Sequence, residues 1–190
     1  MKKKLFFIAI IFSNLIATLV FPAFAANPKV HLETDNGGIT IELFADKSPI
    51  TVKNFLSYLR RGYYDGVLFH RVSPDYIVQS GGYTFDFTEK KKNEPIQSEV
   101  SNGLKNTNGT VAMARKSDPD SATSEFFINL RDNPNLDPSD DKAGYTVFGR
   151  VIEGLDVAIA ISKQPTGLYK KYPDAPNDLI RILKAREMQD

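Results

Sequence analysis

The stretch Lys29 to Phe44, K-V-H-L-E-T-D-N-G-G-I-T-I-E-L-F, alternates twice. Val30 and Leu32 fall on one side with His31 and Glu33 on the other; past Asp35-Asn36-Gly37-Gly38, Ile39, Ile41 and Leu43 alternate with Thr40 and Glu42. Period two on both sides of a turn-forming tetrapeptide predicts a β-hairpin, because successive strand side chains point to opposite faces and Asn-Gly suits a tight loop.

The pattern repeats downstream. Short strand-like runs, most of them punctuated by Gly, Pro or Asn, cover Val67 to Val72, Tyr76 to Gln79, Ile96 to Val100, Thr110 to Ala114, Glu125 to Leu130, Tyr145 to Val151 and Asp178 to Ala185. Only two segments read as helix. Ser48-Pro49 opens the first, with Ser as N-cap, Pro at the first helical position and Val52, Phe55, Leu56 and Leu59 on one stripe. Arg60 and Arg61 suit its last turn and Gly62 its C-terminal end. The second covers Gly154 to Ser162, where Leu155, Ala158 and Ile159 share a face. About eight short strands with two helices predict a mainly β fold, a closed eight-stranded antiparallel β-barrel capped by two α-helices. A parallel α/β fold would need more helices.

Composition limits the chemistry. The chain has 190 residues, 42% of them apolar, enough for one domain with a full core. A net charge of +1 lacks the basic footprint of a nucleic-acid binder. Lys90-Lys91-Lys92 reads as a solvated loop beside Glu89 and Glu94. With no cysteine there is no disulfide, thiol nucleophile or thiolate metal site. Two histidines, His31 and His70, exclude a His-rich metal site, and no H-E-x-x-H, G-x-S-x-G or P-loop pattern occurs. Asp132, Asp137, Asp140 and Asp141 lack calcium-loop spacing and read as a solvated acidic loop. No cofactor is implied.

The first residues have the three-part layout of a secretory signal, Lys2-Lys3-Lys4, the apolar stretch Leu5 to Phe21, Pro22, and the small-residue site Ala23-Phe24-Ala25; the alternative, an uncleaved anchor over Leu5 to Phe24, is disfavoured by Ser13, Asn14, Thr18 and Pro22. Domains 1–25 (signal peptide) and 26–190 (mature domain) follow, with a periplasmic or secreted location and no stable membrane insertion after cleavage. Removing three lysines turns 24 basic against 23 acidic side chains into 21 against 23. A monomer is the default state.

One dense run remains, F-H-R-V-S-P-D-Y-I-V-Q-S-G-G from Phe69 to Gly82, followed by Met113-Ala114-Arg115 and by Ser124-Glu125-Phe126-Phe127-Ile128. With F-H-R-V, the P-x-aromatic-x-x-Q-x-G pattern, G-T-V-A-M-A, S-x-F-F-I and Y-x-V-F-G-R-V in order across nearly all of the mature chain, the sequence resembles the cyclophilin family of peptidyl-prolyl cis/trans isomerases. Met113-Ala114-Arg115 and Gly144-Tyr145 resemble its exported bacterial branch. The resemblance implies isomerisation of X-Pro bonds in proline-containing peptides and in unfolded or folding proteins, a reaction that breaks no σ bond and so needs neither nucleophile nor metal. It implies Arg71 as the catalytic donor, although on spacing alone Arg71 reads as a solvated strand-end or surface ion-pair arginine. It implies Gln79 as the catalytic partner that hydrogen-bonds substrate backbone and helps orient Arg71. It also implies a proline pocket of Tyr76, Ile77, Phe127 and Leu136 with Tyr145 at its edge, and backbone at Ala114 and Arg115 pairing with the residue before proline. The alternation places Phe126, Ile128 and Leu130 on one face and Glu125, Phe127 and Asn129 on the other, so Phe127 can face a groove while its neighbours fill a barrel. His70 reads as structural.

Three positions depart from the family pattern. Glu125 stands where glutamine is usual among the substrate-contacting residues, and could pair with Arg71 or Arg115; a pairing with Arg71 would partly neutralise the cation, and Glu125→Gln would then retain or raise activity. Asn135 stands where an aromatic residue that cyclosporin contacts is usual, so weak cyclosporin binding is expected. Ser80 replaces a usual glycine. The alternatives are a non-catalytic module that binds proline peptides and, more remotely, a small-ligand barrel, since small barrels are normally filled by side chains.

Overall fold

The computed structural model describes residues 27–189, so the expected signal segment lies outside the described residues. β1 (Lys29–Thr34) and β2 (Gly37–Leu43) form the hairpin, with Thr34 opposite Gly37. After α1 (Pro49–Arg60) come β3 (Val67–Ser73), β4 (Ile77–Thr84), β5 (Thr110–Met113), β6 (Phe126–Asn129) and β7 (Val147–Glu153), then α2 (Leu155–Ser162) and β8 (Arg181–Glu187). The strands close in the order β1-β2-β7-β5-β6-β4-β3-β8, with β8 returning to β1 and every pair antiparallel. Closure leaves no ladder edge exposed.

Inside the barrel the core is aliphatic and aromatic. β1 buries Val30, Leu32 and Thr34 and exposes the residues between them, the alternation present in its sequence. Phe55 of α1 meets Phe126 edge-on at 5.4 Å and Phe148 at 5.2 Å between ring centres, tying the helix to β6 and β7. Each such ring buries on the order of 150–250 Å2.

Three local readings are corrected. Ser48 occupies the N-cap of α1, but its hydroxyl donates to the Val147 carbonyl instead of capping. The first-turn N–H groups of Ile50 and Thr51 donate to the Glu99 carboxylate at 2.9 and 2.8 Å. A carboxylate borrowed from a loop therefore satisfies the helix end and its dipole together. Glu99 can do this because Ile96 to Val100 is not a strand: it makes a single bridge, Ile96 to Ala122, and the Ser98 N–H turns to the Asp120 carboxylate. The apolar alternation there reports packing of Ile96 against the core, without ladder pairing. Finally, Lys90 and Lys92 are not solvated. Lys90 donates to the Tyr63 carbonyl with its ammonium over the Tyr63 ring, and Lys92 is mostly buried between Glu89 and Glu125.

The β3–β4 pairing carries the irregularity that matters most. Phe69 pairs with Ser80 but Arg71 with Gln79, so two steps on β3 match one on β4. At this bulge His70 is buried against Tyr83 and Glu125 while Arg71 stays exposed, a typical use of an extra residue to re-aim side chains. Ser80 has a structural reason: it is fully buried, and its hydroxyl donates to the Leu68 carbonyl at 2.8 Å across the irregular ladder. Beside it Gly81 adopts φ +100°, and a Cβ there would collide with the Ser124 carbonyl. Backbone thus approaches backbone where the chain enters β6.

Candidate active site

The register places a row of side chains on the outside of the barrel. Arg71 of β3 lies opposite Gln79 of β4, Gln79 opposite Phe127 of β6, Phe127 opposite Ala112 of β5, and Ala112 opposite Val147 of β7. Their inward neighbours Phe126 and Ile128 belong to the barrel core, whereas Phe127, Ala112, Val147 and Ile77 form a second, smaller apolar cluster against which Tyr76, Leu136 and Tyr145 pack. The alternation of β6 separates the two clusters as its sequence requires.

A cavity of about 240 Å3 opens over this row, lined by Arg71, Tyr76, Ile77, Gln79, Ala114, Arg115, Phe127, Leu136 and Tyr145. Every expected site residue except Glu125 lines it. Glu125 lines an adjoining cavity of about 120 Å3 with Lys92, Lys116, Ser121 and Thr123, and the two cavities share Gln79, Ala114 and Arg115.

One end of the slot is apolar. Phe127 lies nearly buried as its floor, and Tyr145 meets it edge-on with ring centres 5.5 Å apart. Arg115 holds Tyr145 from behind: its guanidinium sits 4.8 Å over the ring and its Nε donates to the Gly144 carbonyl at 2.8 Å. Asn135 Nδ2 donates to the Tyr76 hydroxyl at 3.0 Å. The Ala114 N–H is engaged with the Glu125 carbonyl at 2.9 Å.

Below Leu136 lies an asparagine network that sequence reasoning missed. Asn133 donates to Asn129 and to the Tyr76 carbonyl, Asn129 donates to Asn106, and Asn106 donates to the Leu136 carbonyl and the Asp137 carboxylate. All three amides are almost wholly inaccessible to solvent. Satisfied buried amides of this kind fix the loop geometry because any displacement strands a polar group. A signal existed: Asn129 shares the Phe127 face of a strand otherwise apolar, a costly position unless bonded.

The polar end holds Arg71, whose side chain is 45% exposed; its Nε lies 3.6 Å from the Asp174 carboxylate. Both the surface ion pair and a place in the slot therefore hold for it. Gln79 is not bonded to Arg71; its Nε2 donates to Glu125 Oε2 at 2.9 Å. Glu125 pairs with neither Arg71 nor Arg115. Its Oε1 accepts from Lys92 Nζ at 2.8 Å, and Oε2 lies 3.2 Å from His70 Nε2. Burial alone would raise the Glu125 carboxyl, but the hydrogen bonds and charges of His70 and Lys92 outweigh it and hold it at about 2. Burial works against the Lys92 charge too, and its bonds to Glu125 and Glu89 reverse that, raising it. No group of three or more His, Asp or Glu side chains suited to a metal ion occurs among the described residues.

Comparison with known proteins agrees with this geometry. The profile of the family described as "Cyclophilin type peptidyl-prolyl cis-trans isomerase/CLD" matches residues 29–187. A peptidyl-prolyl cis-trans isomerase of Acinetobacter baylyi is 47% identical over 161 residues, covering 85% of this chain and 86% of that protein. Peptidyl-prolyl cis-trans isomerase A of Dickeya dadantii is 43% identical over 181 residues, 94% of this chain and 95% of that protein. A Cryptosporidium parvum cyclophilin type isomerase, crystallised in the presence of the dipeptide Ala-Pro, superposes with a TM-score of 0.74 at 27% identity over 85% of this chain and 99% of its own.

The depressed Glu125 carboxyl links folding to pH. Its native value of about 2 lies below the ordinary 4.5, so its contribution is fully present above about 4.5 and is lost as pH falls through about 2. That contribution is roughly 3 kcal/mol. Denaturant unfolding of the parent and of Glu125→Gln across this range is expected to show a stability gap that narrows as pH falls; a gap independent of pH would contradict it.

Proposed function

This chain belongs to the cyclophilin-type peptidyl-prolyl cis/trans isomerase family, and we propose that it isomerises X-Pro bonds of exported or folding chains with Arg71 as the catalytic donor. The observation that supports this reading is the meeting of Arg71 and Phe127 in one cavity, with Gln79 between them on a shared cross-strand row. The barrier to rotating a peptide C–N bond, about 18–20 kcal/mol, reflects lost conjugation. Midway through rotation the prolyl nitrogen pyramidalises and regains a lone pair. A guanidinium N–H aimed at that lone pair binds the twisted state more strongly than the planar one, which is all that catalysis of this reaction requires.

The division of labour follows from chemistry. Phe127, Ile77 and Leu136, with Tyr76 and Tyr145 at the sides, take the apolar pyrrolidine ring and hold its nitrogen near the arginine. Because the Nε edge of Arg71 leans on Asp174, the terminal guanidinium nitrogens are left for the substrate. With the Ala114 N–H already engaged, the residue before proline has the Ala114 carbonyl and the Arg115 N–H to pair with. Proline-containing peptides are the substrate class, as the Ala-Pro dipeptide in the crystallised relative suggests. Gln79, Arg115 and Glu125 line the groove beyond the ring pocket, over which the preceding chain would run.

The N-terminal signal pattern and the Met113-Ala114-Arg115 and Gly144-Tyr145 motifs support a place in the exported bacterial branch, acting outside the cytoplasm after cleavage following Ala25. Mass analysis of the protein secreted or released from an envelope fraction is expected to give an N-terminus at Ala26; a chain retaining Leu5 to Phe21 would refute export by cleavage.

Arg71→Ala is expected to lower kcat/KM on a short X-Pro peptide by about 10²–10³-fold, the usual effect of deleting a transition-state donor. Arg71→Lys should recover only part of it, because a lysine lacks the planar fork. Melting temperatures should stay near the parent, since Arg71 forms only an exposed ion pair. Parental turnover in Arg71→Ala would remove it as the catalyst. For cyclosporin, titration should give affinity well short of nanomolar, which would be about −12 kcal/mol, because Asn135 stands where an aromatic contact is usual. Nanomolar binding would show that this contact is dispensable.

A further inference from the structure

Beside the slot, Glu125 is bonded through both of its carboxylate oxygens. Lys92 Nζ donates to its Oε1, Gln79 Nε2 donates to its Oε2, and His70 Nε2 lies 3.2 Å from Oε2. The glutamate and Lys92 side chains are only 19% and 18% exposed. They meet at the smaller cavity that adjoins the slot and shares Gln79 with it.

The chemistry of the bond constrains Gln79. An amide has a donor end and an acceptor end, whereas an ionised carboxylate only accepts. The end of Gln79 that faces Glu125 must therefore be its NH2. Its carbonyl is then the end left toward the cavity that Gln79 shares with its cross-strand partner Arg71. Every N–H of the guanidinium is a donor, so a carbonyl there is complementary to Arg71, and an NH2 there would set donor against donor. A glutamine at position 125 would offer both an acceptor and a donor of its own, and could bond Gln79 either way round.

We propose that Glu125, bonded to Lys92 and set against His70, is a positioning residue that locks the Gln79 amide with its carbonyl toward Arg71 and the substrate. This rests on the reading of Arg71 and Gln79 as the working pair. It reverses the effect of Glu125→Gln that a pairing with Arg71 would have produced: the carboxylate acts on the arginine through Gln79. Lys92 completes the device by occupying Oε1, so that the carboxylate charge is satisfied beside the slot instead of drawing Arg71 away from it. Other titratable groups around the carboxylate include Tyr63 and Tyr83, Glu89 on the far side of Lys92, and Arg115 and Lys116 across the shared cavity.

The test is a double-mutant cycle on the mature chain, with kcat and KM for a short X-Pro peptide at neutral pH. Glu125→Gln is expected to lower kcat by about tenfold, the scale of one charge-assisted hydrogen bond, with little change in KM. In a Gln79→Met background the same substitution should change kcat by less than about twofold. Equal losses in both backgrounds, or parental kcat in Glu125→Gln, would overturn the proposal. If Glu125→Gln fails to fold, the charge-balanced pair Lys92→Met with Glu125→Gln carries the same comparison. A measurement on the parent needs no substitution in the cluster: the Gln79 side-chain NH2 signals, identified by their loss in Gln79→Met, are expected to exchange slowly with water. Rapidly exchanging, rotationally averaged signals would overturn it as well. If Arg71→Ala and Gln79→Met both keep parental rates, the underlying assignment falls. If they lose activity while Glu125→Gln does not, only the positioning role falls.

Discussion

The Cα–Cβ bond of a residue on the outer wall of a closed barrel cannot be moved without shifting the strand that carries it, and each strand is held on both sides. The row from Arg71 through Gln79, Phe127 and Ala112 to Val147 inherits that rigidity. Its members come from β3, β4, β6, β5 and β7, distant in sequence, yet their spacing is set by the hydrogen-bond ladder at about 4.7–4.9 Å per strand. A cation at one end and an apolar floor in the middle therefore keep a fixed separation without any loop having to close. The barrel interior, filled with Phe55, Phe126 and Phe148, resists compression and serves as the backing of the row.

The same wall carries a buried charge cluster. Isolated, a buried glutamate or lysine would be costly; paired and fully hydrogen-bonded, Glu125 and Lys92 offset each other's desolvation. Such a pair is weak support for stability as a net term, but its geometry is demanding. Loss of either partner leaves the other with a poorer set of bonds, Lys92 with Glu89 or Glu125 with Gln79 and His70.

Much of this was legible in the sequence, and the parts that were not have physical reasons. The period-two runs located most strands, because each strand divides its residues between a filled interior and an exterior. The same alternation in β6 foretold that Phe127 would leave the core. Ile96 to Val100 misled because an apolar residue packed from a loop alternates like one in a strand; only the destination of its backbone N–H groups distinguishes them, and that depends on Asp120, distant in sequence. The Ser48 cap misled for a related reason: a remote carboxylate from Glu99 competes for the same donors and wins. Position 125 was marked as unusual by comparison with the family pattern, but its partner Lys92 lay in a triplet whose composition resembles solvated loop. Pairings between chain-distant side chains are decided by the fold, and local patterns carry no record of them.

The exposure of Arg71 bears on how a half-open site can favour a twisted amide. A guanidinium 45% exposed is well hydrated when the slot is empty, and a hydrated donor gains little from one more acceptor. On the proposed reading, a proline ring seated on Phe127 would change this, because the substrate itself would cover the arginine and remove the competing water. The apolar floor would then be more than an anchor: burying the ring would lower the local dielectric at the nitrogen at the moment the donor is needed, and interactions there would strengthen accordingly. On this reading the slot and the cation are not additive contributors. On the proposed mechanism the preference of the arginine for the twisted state is small while it is hydrated, and grows when one substrate occupies both slot and cation.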